Sequence, residues 1–137
     1  MSEAGGIVAS VVVTTGAGAP DYATDIRAGE HAIVADEPRS AGGGDAGPSP
    51  FALLLSALGS CTAITLRMYA ARKQWPLGAI EVRLSYRWQG EIGEIERVLT
   101  LAGLDEAQRQ RCAEIAEKTP VTRALKRGVA IKTLLRG

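Results

Sequence analysis

Residues Gly47–Lys73 read GPSPFALLLSALGSCTAITLRMYAARK, the longest apolar segment of the chain. Ser49 suits a helix N-cap, and Pro50 suits the first helical position, where a missing N–H costs nothing. Arg72 and Lys73 suit the negative C-terminal end. Trp75-Pro76 is the stop, because the residue before proline is pushed out of the helical region. The spacing therefore predicts a helix from Ser49 to about Lys73. From Phe51 to Leu66 it is apolar all round, as a helix buried on every side would be. One sheet covers one side only, so the other side requires more helix or a second subunit. No acid lies between Asp45 and Glu81, and the stretch carries one thiol, Cys61. Gly59 costs a helix about 1 kcal/mol relative to Ala, which points to another element or a ligand approaching closely there.

Upstream, Ile7–Thr14 is rich in Val and reads as a strand. Gly16, Gly18 and Pro20 mark a turn. Tyr22–Arg27 and His31–Asp36 read as two strands of a hairpin around Ala28-Gly29. Asp36–Ser49 loses all hydrophobic period and reads as a loop of a length that is often functional. Its glycines match neither a Walker A motif nor GxGxxG, so they do not indicate a phosphate cradle.

Downstream, Ile80, Val82, Leu84, Tyr86 and Trp88 alternate with Glu81, Arg83, Ser85 and Arg87 over 79–88, a strand with one wet face. Gln89–Gly93 is the turn and Ile95–Leu101 the returning strand. Asp105 opens a second helix, Glu106–Lys118, with a stripe at Cys112, Ile115 and Ala116. Thr119-Pro120 repeats the cap-then-proline signature before a short helix to Lys126. Gly128 closes that helix, and Val129–Leu135 reads as a last strand.

Length and composition set the frame. The chain has 137 residues, 46% hydrophobic and 23% charged, which is the balance of one globular domain. Net charge is +1, which gives no global case for nucleic acid. Residues 1–50 carry two Arg against seven acids, and residues 51–137 carry fourteen Lys and Arg against eight acids. That asymmetry fits self-complementarity within the fold or across a dimer. Two cysteines make no disulfide scaffold. The N-terminus lacks the pattern of a signal peptide. The Pro-bounded apolar run reads as too short to cross a membrane. A cytoplasmic location with reduced thiols is expected.

Chemistry rests on Cys61. A buried core cysteine is the competing reading. A reactive thiol needs a cation or a helix N-terminus nearby. Cys61 is too deep in its helix for the dipole, and Arg67 is six residues on, around the far side. His31, the only histidine, has no companion ligands, so no metal is expected. Nothing in the sequence calls for a cofactor.

The block DEPRSAGGGDAGPSPFALLLSALGSCTAITLRMYAARKQWPL resembles the signature of the OsmC/Ohr family, closest to its cytoplasmic OsmC-like branch. IERVLTLAGLD and RCAEIAEKTPV resemble the family's return strand and second cysteine helix. The resemblance spans about residues 22–135. It implies an α+β fold with antiparallel sheets wrapped around two central helices, in an intertwined homodimer. It also implies thiol-dependent reduction of organic hydroperoxides or hydrogen peroxide. A peroxidatic cysteine becomes a sulfenic acid, and a resolving cysteine of a Cys-Pro-Val segment closes a disulfide. An arginine and a glutamate orient the thiolate.

Cys61 matches the peroxidatic position. Thr119 occupies the resolving position, in TPV rather than CPV, and threonine forms no disulfide. Ala52 stands where relatives carry the glutamate, at N3 of a helix capped by Ser49, so half of a capping box is also lost. A frayed first turn is therefore expected. Cys112 lies about 10 Å along the helix from Thr119 and reads as core, too far to replace it. Arg27 is the first candidate for the activating arginine and Arg39 the second. These departures predict a one-cysteine peroxidase whose partners are a peroxide and an external thiol. The alternative is a catalytically inactive binding or interaction module on the same scaffold. Neither nucleic acid nor membrane is expected as a partner.

Overall fold

The computed structural model describes residues 5–16 and 22–137. The chain divides into two compact units, Met1–Leu53 and Leu54–Gly137. In the first, β1 (Val12–Thr14), β2 (Thr24–Ala28) and β3 (His31–Ala35) form an antiparallel sheet in that order. Ala28 pairs with His31, so Gly29, at φ 61°, makes the tight turn of the expected hairpin. The first strand is shorter than expected. Only Val12–Thr14 pairs, opposite Asp25–Arg27, while Ile7 and Val8 stand exposed. Gly18 and Pro20 of the expected turn lie outside the described residues.

The glycine-rich segment after β3 is folded around the buried Asp36. Its carboxylate accepts the Glu37 and Ala46 N–H groups at 2.7 and 3.0 Å, and its own N–H donates to Pro48 O. Gly47 is required there, because a Cβ would lie 1.9 Å from Val34 O. The Ala46 N–H first, with those of Glu37 and Gly44, holds the Asp36 carboxyl below its usual range. A depressed pKa contributes stability above the ordinary carboxylate range, and that stability is lost as pH falls through the folded value. Asp36→Asn presents an NH₂ where one of these amides must donate. The Ala46 amide should then lose hydrogen-exchange protection at neutral pH. Equal protection in wild type and variant would show that the loop does not depend on the carboxylate.

Helix α1 (Pro50–Lys73) starts and stops where the sequence places it. Ser49 Oγ accepts the Ala52 N–H at 3.2 Å, so the first turn is capped from one side. The end is not made by Pro76 alone. Gln74 is left-handed (φ 59°), Trp75 N–H donates to Ala70 O and Gln74 N–H to Ala71 O. These are the two bonds of a Schellman termination with Gln at the position glycine usually takes.

In the second unit, β4 (Ile80–Gln89) and β5 (Ile92–Leu101) form a two-stranded antiparallel ribbon. Its turn is shorter than expected, two residues, Gly90-Glu91, between the pair Gln89↔Ile92. Helix α1 buries Leu58, Thr62, Leu66 and Ala70, one row at i, i+4 spacing, with Gly59 beside it. Gly59 marks the close approach anticipated for it: a Cβ there would lie 2.9 Å from Leu84 Cδ1 on β4. The expectation of burial on every side does not hold within one chain. Ile64 and Met68, on the opposite face, are 54% and 61% exposed. At 24 residues α1 is also longer than the expected apolar run, enough by length and composition to cross a membrane. The core helix of a soluble protein meets the same test, so this is weak evidence.

Helix α2 (Glu106–Ala116) is two residues shorter than expected, and α3 spans Pro120–Arg127. Asp105 and Gln108 complete a reciprocal capping box on α2. The last strand is absent. Val129–Leu135 forms no ladder among the described residues, and Leu135 is fully exposed. Alternation supplies a face, but a strand also needs a neighbour to accept its hydrogen bonds, and this segment pairs with none among the described residues.

The candidate site around Cys61 and Thr119

Cys61 sits on the middle of α1 with a half-exposed thiol. Leu54 and Leu58 precede it by seven and three residues, so the three share one stripe of the helix. Cys112 is the opposite case. It is wholly buried, and burial pushes its thiol pKa up. Both cysteines are free. Arg67, which the spacing removes from Cys61, is occupied elsewhere: it donates to Leu77 O and Gly78 O at 2.8 and 2.6 Å, tying α1 to the segment after it.

Thr119 lies in the second unit, 1% exposed. Its backbone holds the cap position of α3, but its hydroxyl does not cap the helix. Instead it shares a 2.6 Å hydrogen bond with Thr122 Oγ1, with Ala116 O as an alternative acceptor 3.4 Å away. The Thr119 side chain is therefore locked into a hydroxyl pair. Thr122 Oγ1 also donates to Ala116 O at 3.1 Å.

The residue that joins this cluster to α1 is Arg97, which sequence reasoning missed. Its side chain is 12% exposed. Nη1 donates to Thr62 Oγ1 and to Thr122 Oγ1, both at 2.9 Å. Nη2 donates to Ala116 O at 3.1 Å and reaches Glu117 Oε2 at 3.4 Å. One guanidinium thus links α1, the end of α2 and α3, and its contact on α1 is the neighbour of Cys61. Glu117 in turn pairs with Lys126. Lys126 first, and Arg97 further down, hold the Glu117 carboxyl below its usual range. A signal for Arg97 was present. Ile95, Arg97, Leu99 and Leu101 take the inward positions of β5, so a charge stands in an otherwise apolar row.

Beside the cluster opens a cavity of about 670 Å³. Leu54, Leu58 and Leu125 give it apolar wall; Arg97, Glu117 and Lys126 give it charge. Tyr86 leans over Gly93 at its edge, and a Cβ on Gly93 would lie 1.8 Å from the tyrosine hydroxyl oxygen.

The other candidates belong to the first unit. Arg27 is exposed on β2 opposite Ala32 and Val12. Arg39 opens a short 3₁₀ turn, and its charge acts on Asp36. His31 is exposed at the start of β3. No group of three or more potential metal ligands occurs among the described residues.

The family model for OsmC-like proteins matches residues 42–134. No curated protein matches the chain. Solved structures do. An osmotic stress induced and detoxification response protein, so described, of Psychrobacter arcticus is 18% identical, with 90% of this chain and 91% of that one covered and a TM-score of 0.72. An OsmC-like protein of Mycoplasma pneumoniae is 14% identical, covering 86% of each chain at a TM-score of 0.68. The organic hydroperoxide resistance protein OhrB of Bacillus subtilis is 22% identical, covering 88% and 91% at 0.58. Likeness at this identity concerns the fold, which is α+β.

Proposed function

This chain belongs to the OsmC-like protein family, and we propose that it reduces hydroperoxides through Cys61 in defence against oxidative stress. One observation carries the reading. Of the two thiols, only Cys61 is accessible, while Cys112 is sealed in the core. The thiolate sulfur attacks the terminal peroxide oxygen and the O–O bond breaks. The alcohol leaves with a proton, and Cys61 becomes a sulfenic acid. Thr119 has no sulfur to offer, so an external thiol returns the sulfenic acid to thiol. Names among the structural neighbours, such as the hydroperoxide resistance protein of Bacillus subtilis, support the substrate class.

The same reading includes a cytoplasmic single-domain protein acting as a homodimer. The open face of α1 at Ile64 and Met68 and the exposed apolar residues 129–135 support a second copy covering them. Arg27 is the first candidate to activate Cys61 and Arg39 the second; Ala52 leaves the glutamate's place empty of charge.

A second reading, a catalytically silent binding module on this scaffold, draws on the hydrogen-bonded Thr119 and on Ala52. Mass spectrometry after titrated organic hydroperoxide, with a dimedone probe, separates the two. The peroxidase reading expects one equivalent of label on Cys61 and none on Cys112. An unlabelled Cys61 at stoichiometric peroxide would favour the silent module.

A further inference from the structure

The cavity beside Arg97 has no role in the steps above. We propose that it binds the external reductant, and that this reductant is a low-molecular-weight thiol carrying a carboxylate. The proposal rests on the peroxidase reading and names the second substrate of the same site.

Position comes first. A resolving sulfur at residue 119 would approach Cys61 from the side where Thr119 now lies. Thr119 is bonded to Thr122, and Thr122 lines the cavity. The cavity therefore opens on the side from which resolution would come. Leu58 is part of its wall, and side chains three apart on a helix have Cβ atoms about 5–6 Å apart, so Cys61 lies within one helical turn of that wall. A volume of about 670 Å³ admits a thiol of amino-acid or small-peptide size. A folded protein does not enter such a space.

Charge gives the class. Arg97, Glu117 and Lys126 form a chain of alternating sign with one cation in excess. The Arg97 end is fixed by Thr62, Thr122 and Ala116, so the free end is Lys126, whose side chain is 63% exposed. A ligand carboxylate there continues the alternation. The thiol sulfur attacks the Cys61 sulfur, the S–S bond forms, the S–O bond breaks, and hydroxide leaves with the thiol proton as water. A second thiol attacks the ligand's sulfur in the mixed disulfide, releasing a symmetric disulfide and the Cys61 thiol.

The test compares 3-mercaptopropionate and cysteamine as reductants of peroxide-treated protein, each corrected for its thiolate fraction. The rate ratio between probes is read in one protein, so it does not depend on how much sulfenic acid forms. Wild type should favour mercaptopropionate over cysteamine by roughly threefold, the size of a partly exposed ion pair. Lys126→Glu should reverse that preference. An unchanged ratio in Lys126→Glu would overturn the proposal. If peroxide yields no sulfenic acid, the peroxidase reading fails. The cavity is then read with two charged disulfides, dithiodipropionate and cystamine, whose exchange with the Cys61 thiol needs no peroxide. The same Lys126-dependent ratio is expected there, and its absence would refute the site.

Discussion

Arg97→Met should unfold with a loss of about 3 kcal/mol, the upper range for a substitution that breaks a buried polar network. The side chain is nearly enclosed, and its guanidinium donates to Thr62, Thr122 and Ala116 O. Hydrogen bonds from a charged donor contribute about 1.5–3 kcal/mol each, and those to the two hydroxyls and one carbonyl are shielded from water. Methionine fills part of the volume and donates nothing. The two threonine oxygens keep their own donations, Thr62 to Leu58 O and Thr122 to Ala116 O, but lose a donor each. Glu117 is half exposed and still paired to Lys126, so no carboxylate is stranded and the loss stays short of 5 kcal/mol. The melting temperature should fall by about 10 °C for a chain of this size. Arg97→Lys reaches fewer of these acceptors and should lie between. A melting point within about 2 °C of wild type for Met would mean that the network is replaceable by packing.

That cluster also marks the limit of what sequence conveys. Helix α1 was legible because both of its ends are local chemistry: Ser49-Pro50 at one and the basic pair Arg72-Lys73 at the other. The ribbon was legible because Ile80, Val82, Leu84 and Tyr86 repeat with period two, and the structure keeps that row turned inward. Val129–Leu135 carries a similar pattern yet forms no strand, because pairing needs a partner and partners are not encoded locally. Burial around α1 is met on one face only within a single chain, for a related reason. Hydrophobicity states that a face must be covered without saying by what. Arg97 depends on the register Leu84↔Arg97 and on three helix segments meeting at one point. No spacing rule brings Thr62, Ala116 and Thr122 together. Thr119 was legible as the cap position before Pro120, but its hydroxyl pair with Thr122 was not.

Replacing Cys61 with serine should bring hydroperoxide consumption to the rate seen without protein, while the fold survives. A hydroxyl is a far weaker nucleophile than a thiolate, and the Ser variant cannot form a sulfenic acid. The thiol is half exposed and makes no hydrogen bond among the described residues, so the exchange should alter stability by no more than about 0.5 kcal/mol. Cys112 supplies the contrasting experiment. It is fully buried in the stripe with Ala116. Cys112→Ala leaves a small cavity and should cost about 1–2 kcal/mol, yet peroxide turnover per folded molecule should be unchanged. The two variants thus exchange their effects: Cys61→Ser loses chemistry and keeps stability, and Cys112→Ala does the reverse. Coupled assays with an organic hydroperoxide, run beside urea unfolding of each variant, read both axes. Wild-type turnover in Cys61→Ser would end the peroxidase reading. Loss of turnover in a folded Cys112→Ala would place a second thiol in the reaction, and burial would then have to be relieved during the cycle for that sulfur to reach its partner.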